Sequence, residues 1–468
     1  MTPVGRPLVF PFFDGPRDLA AVAVAILVNG AMGSEGNDAA PPGRWGLPYV
    51  GRALALQKNP FAFLEDGRRR HGDVFKARLL GRPVAFLSGL AGAEAFYHPG
   101  NVSRAGAHPY PVADMFGGDN TAMLDGDEHL IRKTAALRAF DEEALASYLP
   151  DIEALVARRL EGWAAGGELS ATAELRKLAI ECICGNVLGM EPGEGTERMS
   201  RDYALVLKGM VSTPVAAPGT AYFRARAARD RILATMRRAV AGHRAAPTED
   251  GLSRMLGGEI SDEAAALELH HLVIAGFIVY GLMAAVLRWL PELPDVLASC
   301  EAEVADHVPP GRPLTLDGLG RMATATQVVM EVKRHAPVMP FAFGRARRTI
   351  ACSGVEVPEG WNVYLALSLC SADPEVYTDP ERFDPHRFGP GRAEHLRHPL
   401  AFIPQGTGPP TGHRCLGLDY STVVVLAFLA LLVRGYTWAL PSQDLDYRWD
   451  TIPPEHHDGL RVVLRARQ

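Results

Sequence analysis

Phe402-Ile403-Pro404-Gln405-Gly406-Thr407-Gly408-Pro409-Pro410-Thr411-Gly412-His413-Arg414-Cys415-Leu416-Gly417 places four glycines and three prolines around one cysteine. Prolines fix the backbone and glycines free it, so the segment predicts an irregular, well-defined loop rather than a helix or strand. Cys415 sits at its end, just before the apolar run Leu418–Val433 that predicts a helix. A helix N-terminus offers free N–H groups and partial positive charge, which favour a thiolate over a thiol. His413 and Arg414 add positive character, and the glycines let backbone amides approach the sulfur. An anchored thiolate of this kind suits an iron ligand or a nucleophile.

The other five cysteines, Cys182, Cys184, Cys300, Cys352 and Cys370, read as core thiols. Six cysteines in 468 residues make no disulfide framework, and no zinc-type spacing accompanies them, so a reducing compartment is expected. Apolar residues at 47% and charged residues at 22% exclude disorder over most of the chain. The net charge of −6 gives no basic excess for a nucleic-acid partner.

Upstream of the loop, residues 127–286 are dominated by Ala, Leu, Glu and Arg with apolar residues three and four apart, a helical pattern. One helix stands out. Ser261 is a suitable N-cap, Asp262 and Glu263 suit the first turn, and the pattern runs to Leu290 before Pro291 ends it. Leu272 to Leu287 carries no charge, which predicts one long, buried central helix; at sixteen residues it is short for a membrane span, and no other segment is expected to qualify. Short strands are expected at 74–80 and 84–88, joined through Gly81-Arg82-Pro83, and again between Phe341 and Leu369. The fold class is mainly α (α+β), a large helical lobe with a small β-rich lobe. Residues 1–40 form an apolar segment and linker, and 41–468 a single domain. The apolar run Leu19–Val28 is too short to cross a bilayer. A surface helix is expected there, with a weak membrane contact or leader as the alternative, and a cytoplasmic location.

Four motifs in order carry a resemblance to the cytochrome P450 superfamily of haem-thiolate proteins: Pro41-Pro42-Gly43 with Gly46-Leu47-Pro48, Glu331-Val332-Lys333-Arg334, Asp379-Pro-Glu-Arg-Phe383 continuing to Phe388, and the cysteine loop. The extended loop, Ser103-Arg-Ala-Gly-Ala107, Met115-Phe-Gly-Gly118, Leu124-Asp-Gly126, His129 to Lys133 and Pro441 to Leu445 are similar to the fatty-acid peroxygenase branch.

The resemblance implies haem b with Cys415 as axial iron ligand and the central helix lying over the haem. Phe402, His413 and Gly417 would belong to the loop that holds it. Glu331, Arg334 and Arg387 would form a buried ion network locking that loop. His129, Arg132 and Lys133, together with His413 and Arg345, would be cationic partners for the haem propionates.

The central helix departs from the pattern. Monooxygenases of the superfamily place an acid and a threonine after Ala-Gly-x as a proton relay. Here Ala275-Gly276-Phe277 is followed by Ile278 and Val279, which exchange no protons. The Arg-Pro pair with which the peroxygenase branch holds a substrate carboxylate is also missing, and Ala122 stands where that branch places a polar residue. Ala122, His270, His271, Ile274 and Phe277 are the substrate-pocket candidates.

The expected activity is oxidation of an apolar small molecule in specialised or lipid metabolism, by oxygen or by hydrogen peroxide. Electrons would come from a separate ferredoxin or reductase, since the chain ends about 50 residues after Cys415 without a fused module. Redox-neutral lyase, isomerase or dehydratase chemistry on a pre-oxygenated substrate is the alternative, and non-catalytic haem binding a third reading.

Overall fold

In the computed structural model the described residues are 40–336 and 338–467. The apolar run 19–28 and the linker up to residue 39 lie outside them. The proline-rich entry is stitched to the first strand, where Lys76 N donates to Pro42 O at 2.7 Å.

Strands β1 (Val74–Leu79) and β2 (Arg82–Leu87) pair antiparallel, as their alternation predicts. The turn is tighter than expected. Leu80 and Gly81 both take left-handed φ values, and Arg82 and Pro83 already belong to β2. Helix α1 (Gly89–Tyr97), strand β3 (Val102–Ser103) and helices α2 (Tyr110–Phe116) and α3 (Gly126–Leu137) follow. The helical lobe then continues through α4 (Glu142–Gly166), strand β4 (Glu168–Ser170), α5 (Ala171–Leu188), α6 (Glu194–Met210) and α7 (Ala221–Ala245).

The long central helix has the expected start, with Ser261 Oγ accepting from Ala264 N, but not the expected continuity. It divides into α8 (Asp262–Phe277) and α9 (Tyr280–Trp289). At the junction Val279 N reaches Gly276 O and Leu282 N reaches Val279 O, tighter three-residue bonds that interrupt the regular ladder. The interruption falls on Ile278 and Val279, two β-branched residues that crowd a helical turn.

After α10 (Ala323–His335), β5 (Phe341–Ala346) and β6 (Asn362–Ala366) complete a five-stranded sheet in the order β1-β2-β6-β5-β3. The β2–β6 pair is parallel and the others antiparallel. Helix α11 (Leu418–Gly435) follows the cysteine loop, and the tail adds β7 (Tyr436–Ala439) and β8 (Arg461–Ala466), which pair with each other and, through β8, with β4.

The largest core among the described residues joins α3 to α11 through residues such as Tyr203, Phe277, Met283 and Phe428. Smaller ones cover the two faces of the sheet, one around Ala85 and Leu87 and one where Phe75 stacks on Phe86 at 4.9 Å. The helical lobe and small β-rich lobe are those the sequence predicts. Two stretches are long and apolar enough to cross a membrane, Asp262–Glu292 and Leu418–Gly435, where the sequence reading expects none. In both, 67% of the apolar window is buried inside the protein, so they serve as core helices.

Gly276 sets how closely α8 and α5 cross. A Cβ there would stand 2.4 Å from Ile183 Cγ1. Gly276→Val is expected to force the helices apart and cost about 1–3 kcal/mol, the usual range for overpacking. A lowered urea midpoint checks it, and an unchanged midpoint would show that the crossing relaxes freely.

Candidate active site

Cys415 is held from two sides. Its N–H donates to Gln405 O at 2.9 Å, and Gln405 Nε2 lies 3.6 Å from its sulfur and 3.2 Å from Ser421 Oγ in α11. Gly406 and Gly408 have φ of 77° and 97°, which fold the loop back in a region open chiefly to glycine. Cys415 remains partly accessible, whereas the other five cysteines are buried. Burial pushes the thiols of Cys300 and Cys370 up to about 12, as befits inert core residues.

Two buried lysines flank Cys415. Lys133 Nζ donates to Arg414 O at 2.7 Å, and Lys333 Nζ to Thr422 Oγ1 at 2.7 Å and Leu418 O at 3.3 Å. Burial lowers both ammonium groups to about 8, while the charge of Cys415 pulls each the other way. Lys333 and Gln405 stand inside motifs visible in the sequence. Neither is singled out there, because a motif names its invariant letters and not the side chains between them.

Beside the loop lies a polar cluster. The rings of His129 and His413 are 4.2 Å apart, and His413 Nε2 is 3.5 Å from Asp125 Oδ1. Burial would raise the Asp125 carboxyl, but hydrogen bonds from His413, Ser103 and the Ala105 and Arg104 amides overcome it and hold the group well below the usual range. Burial, then the charges of His413 and Lys133, takes His129 down to about 4. Four buried polar atoms around this cluster have no partner among the described residues: Tyr97 Oη, His108 Nδ1, His129 Nε2 and Arg414 Nε. Buried polar atoms are normally paired. Their concentration next to a partly open cysteine fits a porphyrin whose carboxylates would pair with them. Tyr97 and His108 are missed by sequence reasoning, as nothing local marks them, and Asp125, though inside the Leu124-Asp-Gly126 motif, is given no role there.

Two expected propionate partners stand elsewhere. Arg345 Nε donates to Gly360 O at 3.1 Å and the side chain is exposed on β5, where strand alternation turns it away from buried Gly344. Arg132 is spent on Asp119 O, at 2.8 Å, and on Glu128. His129, Lys133 and His413 are brought together as expected.

The ion network is assembled as expected. Arg334 grips Glu331 with two hydrogen bonds of 2.6 and 2.8 Å, Arg387 Nε reaches the same carboxylate at 3.2 Å, and all three side chains are at most 1% exposed. Glu394, missed in the sequence, balances Arg387 at 2.8 Å. The network reaches the cysteine loop through Tyr377 Oη, which donates to Ala401 O at 2.8 Å, and through Phe388, whose ring meets Phe402 at 5.3 Å.

On α8 only His271 and Ala275 keep partial accessibility between Ala264 and Phe277, and Ile278 continues the series. At spacings of four and three they form one stripe along an otherwise buried helix. Ile274, beside it, is buried. Gly276 faces α5 instead, and Val279 is buried at the break. His270 is turned away: its Nε2 donates to Met115 O at 3.0 Å and its Nδ1 accepts from Tyr203 Oη at 3.2 Å. Phe277 packs at 0% exposure against Tyr203 and Tyr280. His270 and Phe277 are therefore core residues, not pocket residues. Ala122 is partly open beside Thr121, whose side chain reaches His271.

The family model for cytochrome P450 matches residues 41–451. The chain is 27% identical over 442 residues to an abscisic acid 8'-hydroxylase 3 of Oryza sativa subsp. indica, covering 91% of this chain and 86% of the relative. Among solved structures it is similar to a retinoic acid bound cyanobacterial CYP120A1, with a TM-score of 0.84 and 26% identity over 92% of this chain and 99% of that one. It also shares its fold with cytochrome P450EX alpha (CYP152N1) with myristic acid, at a TM-score of 0.74 and 24% identity over 89% of this chain and 97% of that one.

Glu331→Ala leaves two guanidinium groups buried without their shared carboxylate, a cost of about 3–5 kcal/mol. The variant is expected to be purified without haem, read from the haem-to-protein absorbance ratio; normal loading would refute the role. His270 supplies a pH test. Burial takes it from 6.5 down to about 4. Between those values the unfolded chain binds the extra proton, so this contribution is full above pH 6.5 and is lost as pH falls toward 4. The gap in urea midpoint between the native protein and His270→Gln is expected to narrow over that interval. A gap that stays constant would show that His270 is not held neutral.

Proposed function

The chain belongs to the cytochrome P450 family of oxidoreductases, which bind haem b through an axial cysteine thiolate, and on that premise we propose that it oxidises an apolar carboxylic acid at a cavity over which the His271–Ala275–Ile278 stripe lies. The observation that carries this reading is the partly open Cys415 beside a cluster of unpartnered buried polar atoms. Two similar proteins support the substrate class, since abscisic acid and retinoic acid, which their names carry, are both largely apolar acids.

When bound, the haem supplies the oxidising centre, and thiolate ligation pushes electron density toward the metal and favours O–O cleavage. The protein does the rest. Cys415 would be the ligand, held by Gln405 and the start of α11. His129, His413 and Lys133 would meet the haem carboxylates, and Phe402 and Gly417 would bound the site. Ala275 and Ile278 offer an apolar wall that orients hydrocarbon and excludes water. Ile278 and Val279 cannot carry protons, so the oxygen-activation helix is atypical. Oxygen with a separate ferredoxin or reductase, or hydrogen peroxide alone, would serve as oxidant, in a protein working in the cytoplasm.

The reduced holoenzyme with carbon monoxide is expected to show the Soret band of a thiolate-ligated haem, and Cys415→Ser is expected to lose it. Retinoic and myristic acids are expected to shift the ferric spectrum by displacing water. A carbon monoxide band at the position of histidine-ligated haem would overturn the site assignment.

A further inference from the structure

His271 is the only titratable side chain on the open stripe of α8, and it is not free to turn. Its Nδ1 lies 3.4 Å from Glu268 Oε2 and 3.3 Å from Thr121 Oγ1. Glu268 is itself fully buried and fixed by Thr121, which donates its N–H at 2.8 Å and its hydroxyl at 3.0 Å. A carboxylate only accepts, so Nδ1 carries the proton and donates it toward Glu268. That leaves Nε2 with a lone pair and no partner among the described residues, and the imidazole is 19% exposed. The bonds are long, as such bonds often are before a substrate arrives.

We propose that His271 is the proton-transferring group on this open face of α8, with Glu268 and Thr121 as its positioning residues. It rests on the reading of the chain as a haem-loaded oxidase. In the step proposed, an O–H bond of hydrogen peroxide breaks and an Nε2–H bond forms. The peroxide becomes hydroperoxide anion, the imidazole becomes imidazolium, and no electrons change molecule. The new positive charge lies against the Glu268 carboxylate. The same imidazolium is then the donor at hand for returning the proton. A role in binding the substrate's carboxylate fits less well, because Glu268 brings negative charge to the spot.

Aromatic and charged groups face the His271–Glu268 pair from the neighbouring elements. Phe116 from α2 meets its ring at 5.6 Å, and Arg132 from α3 is 4.0 Å from Glu268. His108, from the loop before α2, is taken down to about 3 by burial and then by the charges of Arg104, His271 and His413, so it stays neutral above pH 5. Lys133 loses its charge only near 8. His270, the neighbour in sequence, points into the core.

The test uses ferric holoenzyme mixed with hydrogen peroxide between pH 5 and 7.5, followed at the Soret band. His271→Phe is expected to slow the reaction by about 100-fold or more, within the usual range for general acid–base groups, and to abolish its pH dependence, with haem content and the carbon monoxide band unchanged. Glu268→Gln is expected to slow it by about 10-fold, as losing a residue behind a functional histidine does. In the diamagnetic ferrous carbon monoxide form, nitrogen NMR of His271 is expected to show the Nδ1-protonated tautomer in the native protein and a loss of that preference in Glu268→Gln. If Glu268→Gln does not fold, Thr121→Val makes the same comparison. Peroxide kinetics within two-fold of the native protein in His271→Phe, or a change confined to KM for myristic acid, would overturn the proposal. Loss of the thiolate-type band in the native protein would instead overturn the oxidase reading beneath it.

Discussion

A carboxylate that never meets water organises the proximal side of this protein. Glu331 accepts from Arg334, from Arg387 and from the Asp384 amide, and is wholly buried. Such a group is tolerable only if its charge is matched and its lone pairs are filled. Arg334 and Arg387 also donate to the carbonyls of Ser371, Thr378, Asp379 and Arg382, so one ion network fastens α10 to the irregular chain between 371 and 394. That chain carries Tyr377 and Phe388, which touch the cysteine loop. The position of one sulfur is thus fixed through a relay of contacts whose first member is an ion pair.

The thiolate then sits in a field set by lysines on two different helices. Lys133 approaches from α3 and Lys333 from α10, each tied to a carbonyl next to the cysteine rather than to the sulfur itself. Carbonyl anchoring keeps two cations close to the sulfur without spending its lone pairs, which a metal needs.

Much of this was legible in the residues. The loop and the helix behind it follow from the residues themselves, and the Glu331–Arg334–Arg387 network from the resemblance to the cytochrome P450 superfamily. The lobes follow from periodicity. What could not be read was direction. In a helix buried nearly all round, nothing in the letters says that His271 keeps partial accessibility while His270 turns into the core; packing of Met115 and Tyr203 decides it. The exposed placement of Arg345 was hidden for the same reason, since a strand residue's side depends on register. The break at Ile278–Val279 was hidden because apolar residues continue through it, and the role of Asp125 because its partner His413 lies far along the chain.

The five-stranded sheet carries a consequence for biogenesis. Its β1–β2 hairpin is made early, yet the strand that pairs with β2 in parallel is β6, at Asn362–Ala366. Every helix up to α10 must leave the ribosome before that edge is covered. Until then β2, with Phe86 and Leu87 among its residues, offers unpaired backbone to any neighbouring chain. Nascent or prematurely terminated chains are therefore the form of this protein most exposed to aggregation, and the form most dependent on chaperones.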